Sequence, residues 1–169
     1  MSQTHELKVT PDEIEMPDAP TKSIKVVKYK RPDEIAAKLL VPLAHSDIMF
    51  CAVQVLRDGG ENNLHSHAAM DGLWFVLSGK VRFYGKDHEV IGEFGKHEGV
   101  FIPRDVPYWF ESVGDEVLEL LQVEARDPNT KNSYRRLRKS ETPLKVGIYK
   151  PEGDFVLETE VDLEARNNQ

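Results

Sequence analysis

His65 and His67 stand one residue apart, between the glycine pair Gly59-Gly60 and an apolar run that closes at Ser78-Gly79. Residues i and i+2 of a strand share a face, so both imidazoles can reach a single point inside a folded sheet. Neutral imidazole is the commonest side-chain ligand for Fe, Mn, Ni, Cu and Zn, which makes the spacing suitable for a metal. The same spacing also suits two hydrogen-bonded core histidines or a surface pair. Two ligands alone make a weak site, because metal centres generally need three or four. His5, His45, His88 and His97 lie in an arm or in turn-like sequence among charges and read as solvated. No glycine-rich phosphate loop opens a helix and no nucleophilic serine or cysteine motif is present, so the histidine pair marks the one chemical site the sequence offers.

The elements around the pair read as strands. Ile48 to Leu56 is apolar and β-branched, and Leu73 to Leu77, Val81 to Tyr84, Val100 to Ile102, Tyr108 to Phe110 and Val117 to Val123 follow. Turn signals separate them at Arg57 to Gly60, Ser78 to Lys80, Lys86 to Glu89, Pro103 to Pro107 and Gly114 to Glu116. Short strands at this spacing predict an all-β sandwich or barrel rather than alternating β and α units. Upstream, residues 1–22 are rich in proline and acid and predict a poorly ordered arm. Ser23 to Lys30 alternates as a strand would, and Pro32 to Leu40 predicts a short helix, with proline and acids in its first turn. Downstream, Arg126 to Ser140 reads as a loop, while Val146 to Tyr149 and Phe155 to Leu157 predict outer strands.

The stretch Gly60-Glu-Asn-Asn-Leu-His65-Ser-His67-Ala-Ala-Met-Asp71-Gly72-Leu-Trp-Phe-Val-Leu-Ser-Gly79 resembles the first signature of the cupin superfamily: a glycine, His-x-His, a carboxylate and a closing glycine. Glu98-Gly-Val-Phe-Ile-Pro103-Arg-Asp-Val-Pro107-Tyr108-Trp-Phe-Glu-Ser112 resembles the second. The resemblance implies a jelly-roll barrel, or double-stranded β-helix, with His65 and His67 facing its interior. It implies a small-molecule site there, a divalent transition metal (Fe, Mn, Ni or Zn) and a homodimer. Two motif positions depart from the pattern: Gly72 stands where a glutamate is usual, and Tyr108 where the last histidine is usual. Asp71, one position earlier, becomes the candidate third ligand if a bulge at Gly72 re-aims it, and is otherwise a turn residue. Tyr108 becomes the candidate catalytic residue, since a phenol is a poor ligand at neutral pH but a competent proton donor; its other reading is packing. Counting along the same face brings in Trp74, Phe110 and Ser112 as lining, and Asn63 shares parity with His65. That lining suits a ring-bearing organic ligand held by a few polar groups.

At 169 residues the chain is long enough for one domain with a closed core. We expect an arm with a strand and short helix over 1–46, a barrel core over 47–125 and an extension over 126–169. The net charge of -7 argues against nucleic acid or anionic lipid as a partner, and no apolar run approaches a membrane span. The basic run Arg135-Arg136-Leu137-Arg138-Lys139 is a short exception that reads as a solvated turn. Met1 to Lys8 lacks a signal-like apolar core, so a cytoplasmic location is the default expectation. The single Cys51 cannot form an internal disulfide and reads as a packed thiol. The functional expectation is a metal-dependent oxygenase, isomerase or lyase. Its alternatives are a metal-free ligand-binding barrel, or a metal-independent isomerase with His65 or His67 as base and Tyr108 as acid.

Overall fold

Strand β9, Leu118–Arg126, sets the plan of the molecule: Leu118, Leu120, Gln122 and Glu124 are buried, while the residues between them are partly covered. This period of two is what a sheet with a core on one face requires. The computed structural model describes residues 24–33, 38–57 and 62–130, and the backbone of three later strands. Besides β9 the strands are β1 Lys38–His45, β2 Met49–Leu56, β3 His65–His67, β4 Met70–Ser78, β5 Val81–Tyr84, β6 Val90–Phe94, β7 Gly99–Ile102, β8 Trp109–Ser112, β10 Tyr134–Arg136, β11 Lys145–Tyr149 and β12 Phe155–Thr159. They form a seven-stranded sheet in the order β12-β11-β1-β2-β9-β4-β7, a three-stranded sheet β6-β5-β8 and a pair β10-β3. All pairings are antiparallel except β1 with β11. The architecture is the all-β jelly roll that the resemblance implies.

Register divides the inner wall of the large sheet into layers. Phe50, Glu124, Gly72 and Ile102 lie side by side, then Ala52, Gln122, Trp74 and Val100; Leu120 stands opposite both Gln54 and Val76, and Leu118 opposite Leu56. Against the lower layers pack Val81, Phe83 and Phe110 of the three-stranded sheet, which closes a core with Trp74 and Tyr108. A second cluster, Leu39, Val41, Val53 and Val55, covers the other face of the large sheet with help from Tyr29 and Leu121. Gly79 turns β4 into β5 at φ 75°, where a Cβ would also lie 2.7 Å from the Val117 carbonyl oxygen, so only glycine suits the turn.

Four local expectations need correction. Residues 24–30 belong to no strand. The predicted helix over Pro32 to Leu40 ends in strand instead: Lys38 to Leu40 pair with β2 on one side and β11 on the other, and burial of Leu39 overrides helix propensity. Residues 34–37, the arm before residue 24 and the Gly59-Gly60 turn lie outside the described residues. β6 is not expected from the sequence, because Val90 and Ile91 are adjacent and exposed rather than alternating; it forms by pairing with β5. Within the expected loop after Ala125, Tyr134–Arg136 forms β10 and takes up part of the basic run. Cys51 is half-buried on β2, and desolvation raises its pKa, which disfavours the reactive thiolate. Among the described residues no helix is long and apolar enough to cross a membrane.

Candidate functional site in the barrel lumen

The three-residue strand β3 is held on both edges. On one side His65 and His67 pair with Arg136 and Tyr134 of β10. On the other, His65 and Tyr108 exchange backbone hydrogen bonds of 3.1 and 2.9 Å. Both histidines and the tyrosine thereby converge: the His65 ring is 5.0 Å from that of His67 and 4.4 Å from that of Tyr108, whose ring in turn lies 4.8 Å from Trp74. His65, Tyr108 and Trp74 are 3%, 3% and 1% exposed, whereas His67 is half-buried. The Asn63 backbone carbonyl lies 2.5 Å from His65 Nδ1. A carbonyl only accepts, so Nδ1 carries the hydrogen and Nε2 is the basic nitrogen of the neutral ring.

Trp74 owes its place to Gly72. A Cβ at position 72 would lie 2.1 Å from Cη2 and Cζ3 of the indole, so the ring fills the space into which any side chain at 72 would grow. Asp71, on the opposite parity, points elsewhere. Its carboxylate accepts from the Arg104 backbone N–H at 2.8 Å and from Nε and Nη2, both at 3.2 Å, and these bonds hold its pKa below the ordinary value. Arg104 also reaches Asp127 at 3.8 Å, so the turn after β7 is tied to the mouth of the barrel by charge.

Residues 52–124 match the family model described as a cupin domain. Over that stretch the barrel is similar to a cupin domain. A Klebsiella pneumoniae protein with a double-stranded β-helix domain aligns at 17% identity and TM-score 0.55, covering 66% of this chain and 92% of that one. A cupin family protein of Methanocaldococcus jannaschii aligns at 22% and 0.52, covering 62% and 93%. The cupin domain of Schizosaccharomyces pombe Cnp3 aligns at 18% and 0.48 over 52% of this chain and 64% of that one, so the chain spans less than two thirds of it. At such identities the likeness extends to the fold alone. No curated protein matches the chain.

The cupin resemblance implies a divalent metal, and the described residues do not fit one. They contain no group of three His, Cys, Asp or Glu side chains able to share an ion. Position 72 offers no ligand and its space holds an indole, Asp71 is bound by Arg104, and at position 108 a phenol stands beside His65.

Of the remaining sequence candidates, Asn63 is buried beside His65, and Phe110 lies deeper, joined to Tyr108 through Phe83 at ring distances of 5.1 and 6.4 Å. Ser112 is buried opposite Val81 at the far end of β8. A polar ladder on the facing wall escaped sequence reasoning. Gln54 Nε2 donates to Gln122 Oε1 at 2.6 Å, Gln122 Nε2 donates to Glu124 Oε1, and Arg126 Nη2 donates to Glu124 Oε2 at 2.7 Å. Burial raises the pKa of the Glu124 carboxyl, against the opposing pull of Arg126 and Gln122. The signal was available: Leu118, Leu120, Gln122, Glu124 and Arg126 share one parity, so the core face of β9 turns polar toward the mouth.

Proposed function

We propose that this cupin-like barrel takes a small organic molecule into its lumen and acts on it by proton transfer, without a metal. The observation that carries the reading is the row His65, Tyr108, Trp74, in which the Asn63 carbonyl fixes the tautomer of an imidazole 4.4 Å from a buried phenol. His65 Nε2 is the base, Tyr108 the acid, and Trp74 forms the floor against which an apolar or ring-bearing part of the ligand rests. Removal of a proton at one atom and delivery at another is the chemistry of isomerases and lyases, two of the classes expected from the sequence. The metal-dependent alternative lacks a third ligand among the described residues.

The test is a panel of small organic molecules screened by thermal shift against protein dialysed with chelator, each hit then followed by NMR for turnover. Support is a hit that is converted by the wild type and still binds, unconverted, to Tyr108→Phe and His65→Gln. A hit that binds without turnover assigns the lumen to ligand binding alone. Activity that disappears on chelation and returns with Fe, Mn, Ni or Zn overturns the proposal.

A further inference from the structure

His65 stands opposite Tyr108 because the chain before it carries one residue more than the strand it faces. The Asn62 N–H donates to the Phe110 carbonyl at 3.1 Å, and further along His65 and Tyr108 exchange their two backbone bonds. Asn63 and Leu64 therefore lie between these contacts on one side, where Trp109 alone lies between them on the other. That count defines a β-bulge, which bends its strand and re-aims the side chains that follow. In an even ladder Leu64 would stand opposite Tyr108, and His65 would turn to the other face. Instead Leu64 is half-buried and His65 is buried, its ring 4.4 Å from that of Tyr108.

A side chain closes this bulge. In an ordinary hydrogen-bonded pair the Phe110 N–H would donate to the backbone carbonyl of residue 62. Here it donates to Asn62 Oδ1 at 2.7 Å, so an amide oxygen stands in for a main-chain one. Asn62 and Phe110 are both buried, and a buried N–H that loses its acceptor must find another. The main-chain carbonyl of residue 62 is the acceptor an even ladder would offer. Taking it would draw the chain ahead of His65 toward a regular strand and withdraw the Asn63 carbonyl, which lies 2.5 Å from His65 Nδ1. We propose that Asn62 is the positioning residue of the site: its side-chain oxygen holds the bulge, keeps the Asn63 carbonyl on Nδ1, and so confines His65 to the tautomer whose basic nitrogen is Nε2. The catalytic meaning of that tautomer rests on the reading of His65 as a base, whereas the tautomer itself is a property of the folded chain.

The experiment is a long-range proton–nitrogen NMR spectrum of the full chain with isotope-labelled histidine, recorded at about pH 8, above the ordinary histidine range. The His65 signals are identified by their absence from His65→Gln. In the wild type Nδ1 is expected to bear the hydrogen, with the two ring nitrogens far apart in shift. Asn62→Leu and Asn62→Ala, which lack the acceptor, should bring the two signals toward each other as the tautomers mix. Asn62→Asp, which keeps an oxygen at that place, should retain the wild-type spectrum. Unchanged His65 signals in either folded acceptor-free variant overturn the assignment, as does a mixed tautomer in Asn62→Asp. Collapse of the fold in both acceptor-free variants makes Asn62 a structural clip and also overturns it. A wild-type spectrum with the hydrogen on Nε2 removes both the assignment and His65 as the base. No ligand enters the measurement, so a lumen that converts nothing sinks the proton-transfer reading alone.

Discussion

Replacing Gly72 with alanine isolates the exchange of space between positions 72 and 74. The added Cβ would start 2.1 Å from two carbons of the Trp74 ring. Ordinary carbon contact is ~3.5 Å, so the indole must retreat by about 1.4 Å. It has little room to do so, since it is 1% exposed and wedged between Tyr108 at 4.8 Å and Phe83 at 6.4 Å. Overpacking of this kind costs about 1–3 kcal/mol, and the entropy lost by an unfolded chain on Gly→Ala returns only ~0.4–1 kcal/mol. Gly72→Ala should therefore be destabilised by roughly 1–2 kcal/mol in urea denaturation, provided the m-value is unchanged. Trp74→Ala alone should cost ~3–5 kcal/mol, but in that background alanine at 72 has space and should become neutral or mildly stabilising. The double-mutant cycle then reports a coupling of about 1–3 kcal/mol. In the same background Gly72→Glu should bind Co²⁺ more tightly than the wild type, read from its visible absorption, because the lumen regains a carboxylate beside the histidines. A wild-type melting profile for Gly72→Ala, or additive effects in the cycle, would refute the claim that the indole fills this space.

Glu124 has a pKa raised by burial, so its contribution to stability is fully present below about 4.3, its ordinary value, and is lost as pH rises through the folded value; Glu124→Gln should flatten that decline in urea midpoints measured from pH 4 to 8. Asp71 has the opposite sign: its clamp on Arg104 persists above the ordinary aspartate range and is lost on acidification. Asp71→Asn should leave global stability within about 1 kcal/mol, as expected of a solvated pair, yet speed amide exchange in residues 103–107. Tyr108→Phe should keep the fold and ligand affinity while lowering turnover by ~10²- to 10⁴-fold; unchanged turnover would reduce Tyr108 to packing.

The barrel was legible because its strands carry their own signal. In β9 and β4 the alternation of inward and outward residues can be counted directly, and Trp74, Phe110 and Ser112 are buried as counted. What the sequence concealed depends on neighbours distant in the chain. β1 is a strand because β2 and β11 pair with it, although Pro32-Asp-Glu reads as a helix start. Likewise, nothing local tells that Asp71 would meet Arg104 thirty-three residues on, or that the space beside Gly72 would be taken by an indole two positions away. The histidine pair was visible because its spacing is short, whereas the ladder spans two strands and one of its glutamines lies 68 residues from the next.

The pairing of β1 with β11, and of the histidine strand β3 with β10, has a consequence for how the molecule is made. Lys38 to Leu40 lie beside Val146 to Ile148, so an early segment of the chain completes its sheet only after a late one has been synthesised. Until then β1 keeps one ladder edge unsatisfied, and β3 waits for Tyr134 to Arg136. Long-range β pairing is slow, and an open edge during that delay is a template for pairing with another nascent chain. An edge of this kind is a hazard until Val146 to Ile148 are available to cover it, and truncation before residue 145 should yield aggregated rather than merely weakened protein.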